Sequence, residues 1–146
     1  MKNNNIKLYE LKKNATEFPS VKVSTSKIGY DFIKQFYADD IGIYESFFIL
    51  LLNRANKTTG YAKISQGGTA GTVVDIKIIA KYAVDSLAHG VILAHNHPSG
   101  SLIPSDADKA ITNKIKQALL ILDVQVLDHL ILTEDSFYSF ADNGLL

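Results

Sequence analysis

The stretch AHNHPSGSLIPSDAD, residues 94–108, concentrates side chains that could do metal chemistry. His95 and His97 stand two apart. In an extended chain such residues project to the same side, ~7 Å apart along the backbone, so both imidazoles can face one ion. Pro98 offers no N–H to a ladder and tends to end a strand there. Sites in α/β sheets commonly lie at strand ends. Asp108 carries two readings. With Ser105 as N-cap it falls in the first helical turn, where the helix dipole favours a carboxylate facing water. Against that, Ile111, Ile115, Ala118 and Leu122 recur at helical spacing from position 108, which puts Asp108 on the buried stripe. A buried carboxylate needs a partner, and an ion is a good one. Two histidines and an aspartate make three ligands. Catalytic zinc sites typically keep three protein ligands and an open fourth position, whereas closed structural sites usually have four, often cysteines. The chain has no cysteine. The count points to one Zn2+ in an open site, against the plainer reading of two polar loop histidines and a helix-start charge.

An activated water needs a base. The glutamates are Glu10, Glu17, Glu45 and Glu134. Glu10 and Glu17 lie in a polar N-terminal segment, and Glu134 sits in the turn-like TEDS. Glu45 alone abuts an apolar run, ESFFILLL, with Phe47, Ile49 and Leu51 on its face. A carboxylate there can have its pKa tuned by its surroundings. The alternative is an exposed first residue of an edge strand.

The elements that must position these groups follow from periodicity and punctuation. IKLYELKK (6–13) reads as an edge strand and NATEFPS (14–20) as a break. Thr25 or Ser26 caps a helix to about residue 38, with Ile28, Phe32 and Phe36 on one face. YESFFILLLNR and YAKISQGG read as a hairpin joined by a turn. Asp75 caps a helix to about Ala88, ended by Gly90. VILAH is a buried strand, Ser105 opens a helix to about Leu122, VQVLDHLILT is an interior strand and SFYSFA a last short one. The order β-α-β-β-α-β-α-β-β implies an α/β fold: a three-layer α-β-α sandwich with a mixed central sheet.

Composition narrows the function classes. The 146 residues are 47% hydrophobic and 21% charged with zero formal net charge, as in a soluble domain with a real core. No apolar run reaches the roughly 20 residues that span a bilayer. MKNNNIKLYELKKNA has no apolar signal region, so a cytoplasmic protein is expected. Arg54 is the only arginine. The lysines at 2, 7, 12 and 13 read as a solvated end, so charge gives no support for nucleic-acid binding.

A strand-borne glutamate, then His-x-His, seven residues, Ser, two residues and Asp resembles the JAMM metal signature of JAB/MPN-domain metallohydrolases: Glu45, His95-Asn96-His97, Ser105 and Asp108. The fuller wording HNHPSG…PSDAD, with LDHLIL and YSFADNGLL, is similar to the RadC-like bacterial branch over roughly residues 40–146. The resemblance implies a cytidine-deaminase-like, JAB/MPN-type fold. It implies zinc held by His95, His97 and Asp108, Glu45 as general base, and Ser105 stabilising an oxyanion. It also implies hydrolysis of a peptide or isopeptide bond in a protein or peptide substrate. Zinc would lower the pKa of its water and polarise the carbonyl. RadC-like proteins commonly carry an N-terminal helix-hairpin-helix region and a link by name to DNA repair. Here too little chain precedes Glu45 for that region, so the expectation is a short segment over 1–20 followed by a single domain over 21–146.

The remaining candidates divide by face. Asn96 points away from its neighbouring histidines, which suits a structural hydrogen bond. His129 reads as a satisfied interior histidine or an outer partner of the site. Asp128 could orient a ligand imidazole through its free N–H. His89, before Gly90, suits a helix C-terminus. The adjacent letters HNH do not make the nuclease of that name, whose residues are dispersed. GGTAGT (67–72) lacks the Lys-Ser/Thr of a phosphate loop and reads as a chain reversal. A DNA-transaction protein whose metal domain serves binding, and a scaffold of the same fold, are the competing functions. Strand-like apolar residues near the N-terminus make a homodimer an expectation.

Overall fold

The structure is a computed structural model that describes residues 5–10, 12–68 and 72–146. Among these residues three helices and five strands follow one another as α1 (Ser26–Lys34), β1 (Ser46–Leu52), β2 (Thr58–Gln66), α2 (Ile76–Asp85), β3 (Gly90–Asn96), α3 (Asp106–Ile121), β4 (Gln125–Leu132) and β5 (Phe137–Ser139). The strands form one sheet in the order β2-β1-β3-β4-β5. β3 and β4 run parallel, connected through α3, and the other pairs are antiparallel. The sheet is therefore mixed.

Alternation along the inner strands splits the core into two layers. Phe47, Ile49 and Leu51 of β1 and Val91 and Leu93 of β3 pack with Ile79 and Ala83 of α2 and Ile115 and Leu119 of α3. The intervening Leu50, Leu52, Ile92 and Ala94, with Leu130 and Leu132 of β4, pack with Tyr30, Phe32 and Ile33 of α1. All seven residues of β1 and all seven of β3 are buried, as expected of strands covered on both faces. Each large side chain so covered contributes about 1.5–3 kcal/mol relative to exposure. His95 continues the Val91–Leu93 alternation toward the α2/α3 layer, and Asn96 the Ile92–Ala94 alternation toward the other.

The helix starts follow from their caps: Thr25, Asp75 and Ser105 each accept a first-turn N–H. Two helices stop short of the sequence expectation. α1 ends at Lys34 because the chain tightens into i→i+3 bonds from Phe36 to Ile33 and Tyr37 to Lys34. α2 ends at Asp85, where the Ser86 hydroxyl donates to Tyr82 O and Leu87 takes a positive φ of 52°. Leu122 lies off the buried stripe of α3, 45% exposed.

The expected edge strand over 6–13 is not formed by the described residues of that stretch. The described residues of that stretch belong to no strand, and Ile6 and Tyr9 are 97% and 88% exposed. The alternation of IKLYELKK is strand-like, but the start of β2 is already engaged by a later segment. Thr58 N–H donates to Val21 O, Val23 N–H donates to Asn56 O, and Lys22 bridges Lys57. No helix among the described residues is long and apolar enough to cross a membrane.

Candidate metal centre

Four side chains converge where β3 ends beside the first turn of α3. His95 is the penultimate residue of β3 and His97 follows the strand; their Nε2 atoms are 3.0 Å apart. Asp108 presents Oδ1 at 3.3 Å from His95 Nε2 and Oδ2 at 3.2 Å from His97 Nε2. Glu45 Oε1 stands at 3.9 and 4.0 Å from the same two nitrogens. Glu45, His95 and His97 offer ligand atoms all within 4.8 Å of one another. Asp108, on its distances, lies nearer to both rings than Glu45 does. Glu45, His97 and Asp108 line an open cleft of 420 Å³ together with Thr72, Ile103 and Ser105.

Each group is held by a different device. His95 lies opposite Phe47 in the β1–β3 register, with the two rings nearly coplanar in orientation at 4° and 6.0 Å between centroids. Its Nδ1 is 2.7 Å from Nε2 of His129, whose Nδ1 is in turn 2.5 Å from the Thr112 hydroxyl. His97 is anchored by backbone: Nδ1 is 2.8 Å from Ser101 O. A carbonyl only accepts, so that Nδ1 carries the proton and Nε2 of the neutral ring is a bare lone pair. Asp108 belongs to a capping box. Ser105 Oγ accepts from Asp108 N–H at 3.0 Å, and Asp108 Oδ2 accepts from Ser105 N–H at 2.9 Å.

Glu45 is placed by Asn96, a residue between the two histidines whose side chain enters the opposite layer. Asn96 is fully buried; its Oδ1 accepts from Ser46 N–H at 2.8 Å, and its Nδ2 donates to Tyr44 O at 2.7 Å and Ile41 O at 2.6 Å. The carboxamide thus grips the backbone on both sides of Glu45. On the other edge, Gly67 N–H donates to Glu45 O and Glu45 N–H to Gly68 O, so Gly67 and Gly68 of GGTAGT extend the ladder. Residues 69–71 of that motif lie outside the described residues. The Tyr37 hydroxyl donates to Ser46 O, and its burial, then the charge of Glu45, push its pKa well up.

The charges lean toward cation binding. Burial alone would raise the Asp108 pKa, but in the metal-free chain hydrogen bonds from the two rings, when protonated at Nε2, more than offset it and hold the carboxyl far below its usual range. The same bond from Asp108 raises His97, against the opposing effect of burial. Burial drives His129 well down, so that ring is neutral. Two imidazole nitrogens, each with both carboxylates within 4.0 Å, form a donor set suited to a divalent cation.

Asp128 does not orient a ligand. Its Oδ1 accepts from His129 N–H and Ala141 N–H, and its Oδ2 from the Ser139 hydroxyl, so it ties the C-terminal turn to β4. A register shift between Val91 and Ile92 against β4 turns Asp128 away and gives the position beside His95 to His129. Thr112 carries no signal in the sequence beyond standing one turn after Asp108.

The fold and this cluster define a three-layer α/β domain with a metal-type centre at the end of a parallel strand pair. Residues 23–145 match the family model of the RadC-like JAB domain, and the chain belongs to that family. Among curated relatives, a UPF0758 protein of Flavobacterium johnsoniae is 54% identical over 102 residues, 70% of this chain and 44% of that protein. A UPF0758 protein of Porphyromonas gingivalis is 38% identical over 125 residues, 85% of this chain and 54% of that one. UPF0758 protein YfjY of Escherichia coli is 44% identical over 102 residues, 70% of this chain and 64% of that one. The chain thus matches about half the length of the first two.

Proposed function

We propose that this chain is a zinc-dependent hydrolase of a peptide or isopeptide bond in a protein or peptide substrate. The observation that carries the reading is that the Asp108 and Glu45 carboxylates each stand within 4.0 Å of both His95 and His97 Nε2, beside an open cleft that Glu45, His97 and Asp108 line. His95, His97 and Asp108 would hold the ion, with one Asp108 oxygen facing each ring. A bound zinc supplies Lewis acidity and a water acidic enough to deprotonate near neutral pH. Glu45 Oε1, 3.9 and 4.0 Å from the two rings, would take a proton from the attacking water as its oxygen bonds the carbonyl carbon, and would pass that proton to the leaving nitrogen as the C–N bond breaks. The Ser105 oxygen is occupied as an acceptor by Asp108 N–H, which leaves its own O–H free to donate to an oxyanion in the cleft.

The test is zinc content together with cleavage of a peptide library. About one zinc per chain, with cleavage abolished and zinc retained in Glu45→Gln, supports the reading. A chain that takes up no zinc, or a Glu45→Gln variant as active as wild type, refutes it.

A further inference from the structure

We infer that His129 and Thr112 are positioning residues that dictate which nitrogen of His95 faces the cleft. This rests on the reading of His95 as a metal ligand. His129 is fully buried, clamped between the stacked ring of Phe140, at 4.7 Å and 18°, and the edge-on ring of Phe47, at 5.6 Å. Its two ring nitrogens have one partner each: His95 Nδ1 and Thr112 Oγ1. Histidine pairs of this kind are ambiguous in direction, since a neutral imidazole donates from one nitrogen and accepts at the other.

The direction is resolved at the far end. Thr112 Oγ1 lies 2.6 Å from the main-chain carbonyl of Asp108. A carbonyl cannot donate, and two oxygens without a proton between them would repel at that separation. The single hydroxyl proton of Thr112 therefore points at Asp108 O. The hydroxyl can then only accept from His129, which puts the His129 proton on Nδ1 and leaves Nε2 bare. Bare Nε2 must accept from His95 Nδ1–H. The neutral His95 ring is thereby left with its lone pair on Nε2, 3.0 Å from the bare Nε2 of His97 and 3.3 Å from an Asp108 oxygen, a crowding of lone pairs that a cation between them would relieve. Three hydrogen bonds carry one polarity from a helix carbonyl to the metal-facing atom. The relay begins and ends on the same residue, because Asp108 supplies the carbonyl at one end and the carboxylate beside His95 Nε2 at the other.

Metal-bound histidines are usually backed by a carboxylate or carbonyl, which fixes the tautomer and raises ligand basicity. Here a neutral ring does the first without a full negative charge. The experiment uses Thr112→Val, which keeps the branched shape and removes the hydroxyl, with Thr112→Ser as the restoring variant. Competition against a chromogenic chelator should show zinc binding about ten- to a hundredfold weaker in Thr112→Val, and near wild type in Thr112→Ser. Equal affinity in all three overturns the inference. Should Thr112→Val not fold, the wild-type chain decides. In metal-free protein at alkaline pH, long-range 1H–15N correlations should place the ring proton on Nδ1 of both His95 and His129. A proton on His95 Nε2 overturns the relay. That measurement is independent of the proposed reaction: a chain with the relay tautomers that never takes up zinc sinks the hydrolase reading alone.

Discussion

The inner and outer halves of the centre are built on different principles. The inner half, His95 with His129 and Thr112, is made of side chains buried between β3, β4 and α3, and His95 is only 3% exposed. The outer half, His97 with Ser101 and Ser105, is made of a loop and its backbone groups, with the His97 side chain 14% exposed. The inner histidine is part of the core; the outer one is an attachment to it. Removing one should therefore cost both fold and function, and removing the other function alone.

That contrast is best broken with paired alanine variants. His95→Ala and His97→Ala should both lower zinc affinity by more than the ~10–100-fold typical of an outer partner. Only His95→Ala should also destabilise the fold in urea, by about 1–3 kcal/mol, because His129 loses its buried partner. Equal denaturation midpoints for the two would erase the distinction between halves.

The next effect is on pH. The Asp108 bond raises the His97 pKa, and zinc requires that ring neutral. Apparent zinc affinity should climb roughly tenfold per pH unit through the region above the ordinary imidazole value of about 6.5, up to the raised one. In the metal-free chain the sign reverses. A raised folded pKa gives stability that is complete below about 6.5 and is lost as pH rises through the folded value. Calorimetry of both forms across that range checks the pair of slopes. A flat profile in His97→Gln identifies the group.

Asn96→Ala tests the bond between the halves and the base. It leaves Ser46 N–H and the Ile41 and Tyr44 carbonyls without their partner and should cost about 1–3 kcal/mol in urea. Zinc affinity should stay near wild type, since neither ring leans on Asn96. The smallest effect belongs to the outer half. Ser105→Ala removes an N-cap, worth about 1 kcal/mol, and Ser105→Asp should recover most of that stability without restoring any oxyanion donor.

What was legible in the sequence was local. His-x-His at a strand end, Ser-x-x-Asp at a helix start and the stripe from Asp108 to Ile115 each need only one element's periodicity. The caps at Thr25, Asp75 and Ser105 were legible for the same reason. What was not legible depended on register between elements. His129 reaches His95 because β3 and β4 run parallel with Leu93 beside His129, and Asp128 faces away because the ladder slips one residue earlier. Nothing in VQVLDHLILT states that slip. The N-terminal misreading has the same origin: alternation marks IKLYELKK as able to pair, but pairing also needs a free neighbour, and residues 21–23 hold that place.

The capping box at Ser105 and Asp108 has a consequence in time as well as space. Asp108 N–H is bonded to Ser105 Oγ while the carboxylate of the same residue faces both histidines. The first turn of α3 cannot fray without withdrawing that carboxylate from the rings, so end-fraying, elsewhere the fastest opening a helix makes, is here coupled to the centre itself. With an ion in place, hydrogen exchange at the single amide of Asp108 would proceed only when the ion lets go, and its rate would count the departures.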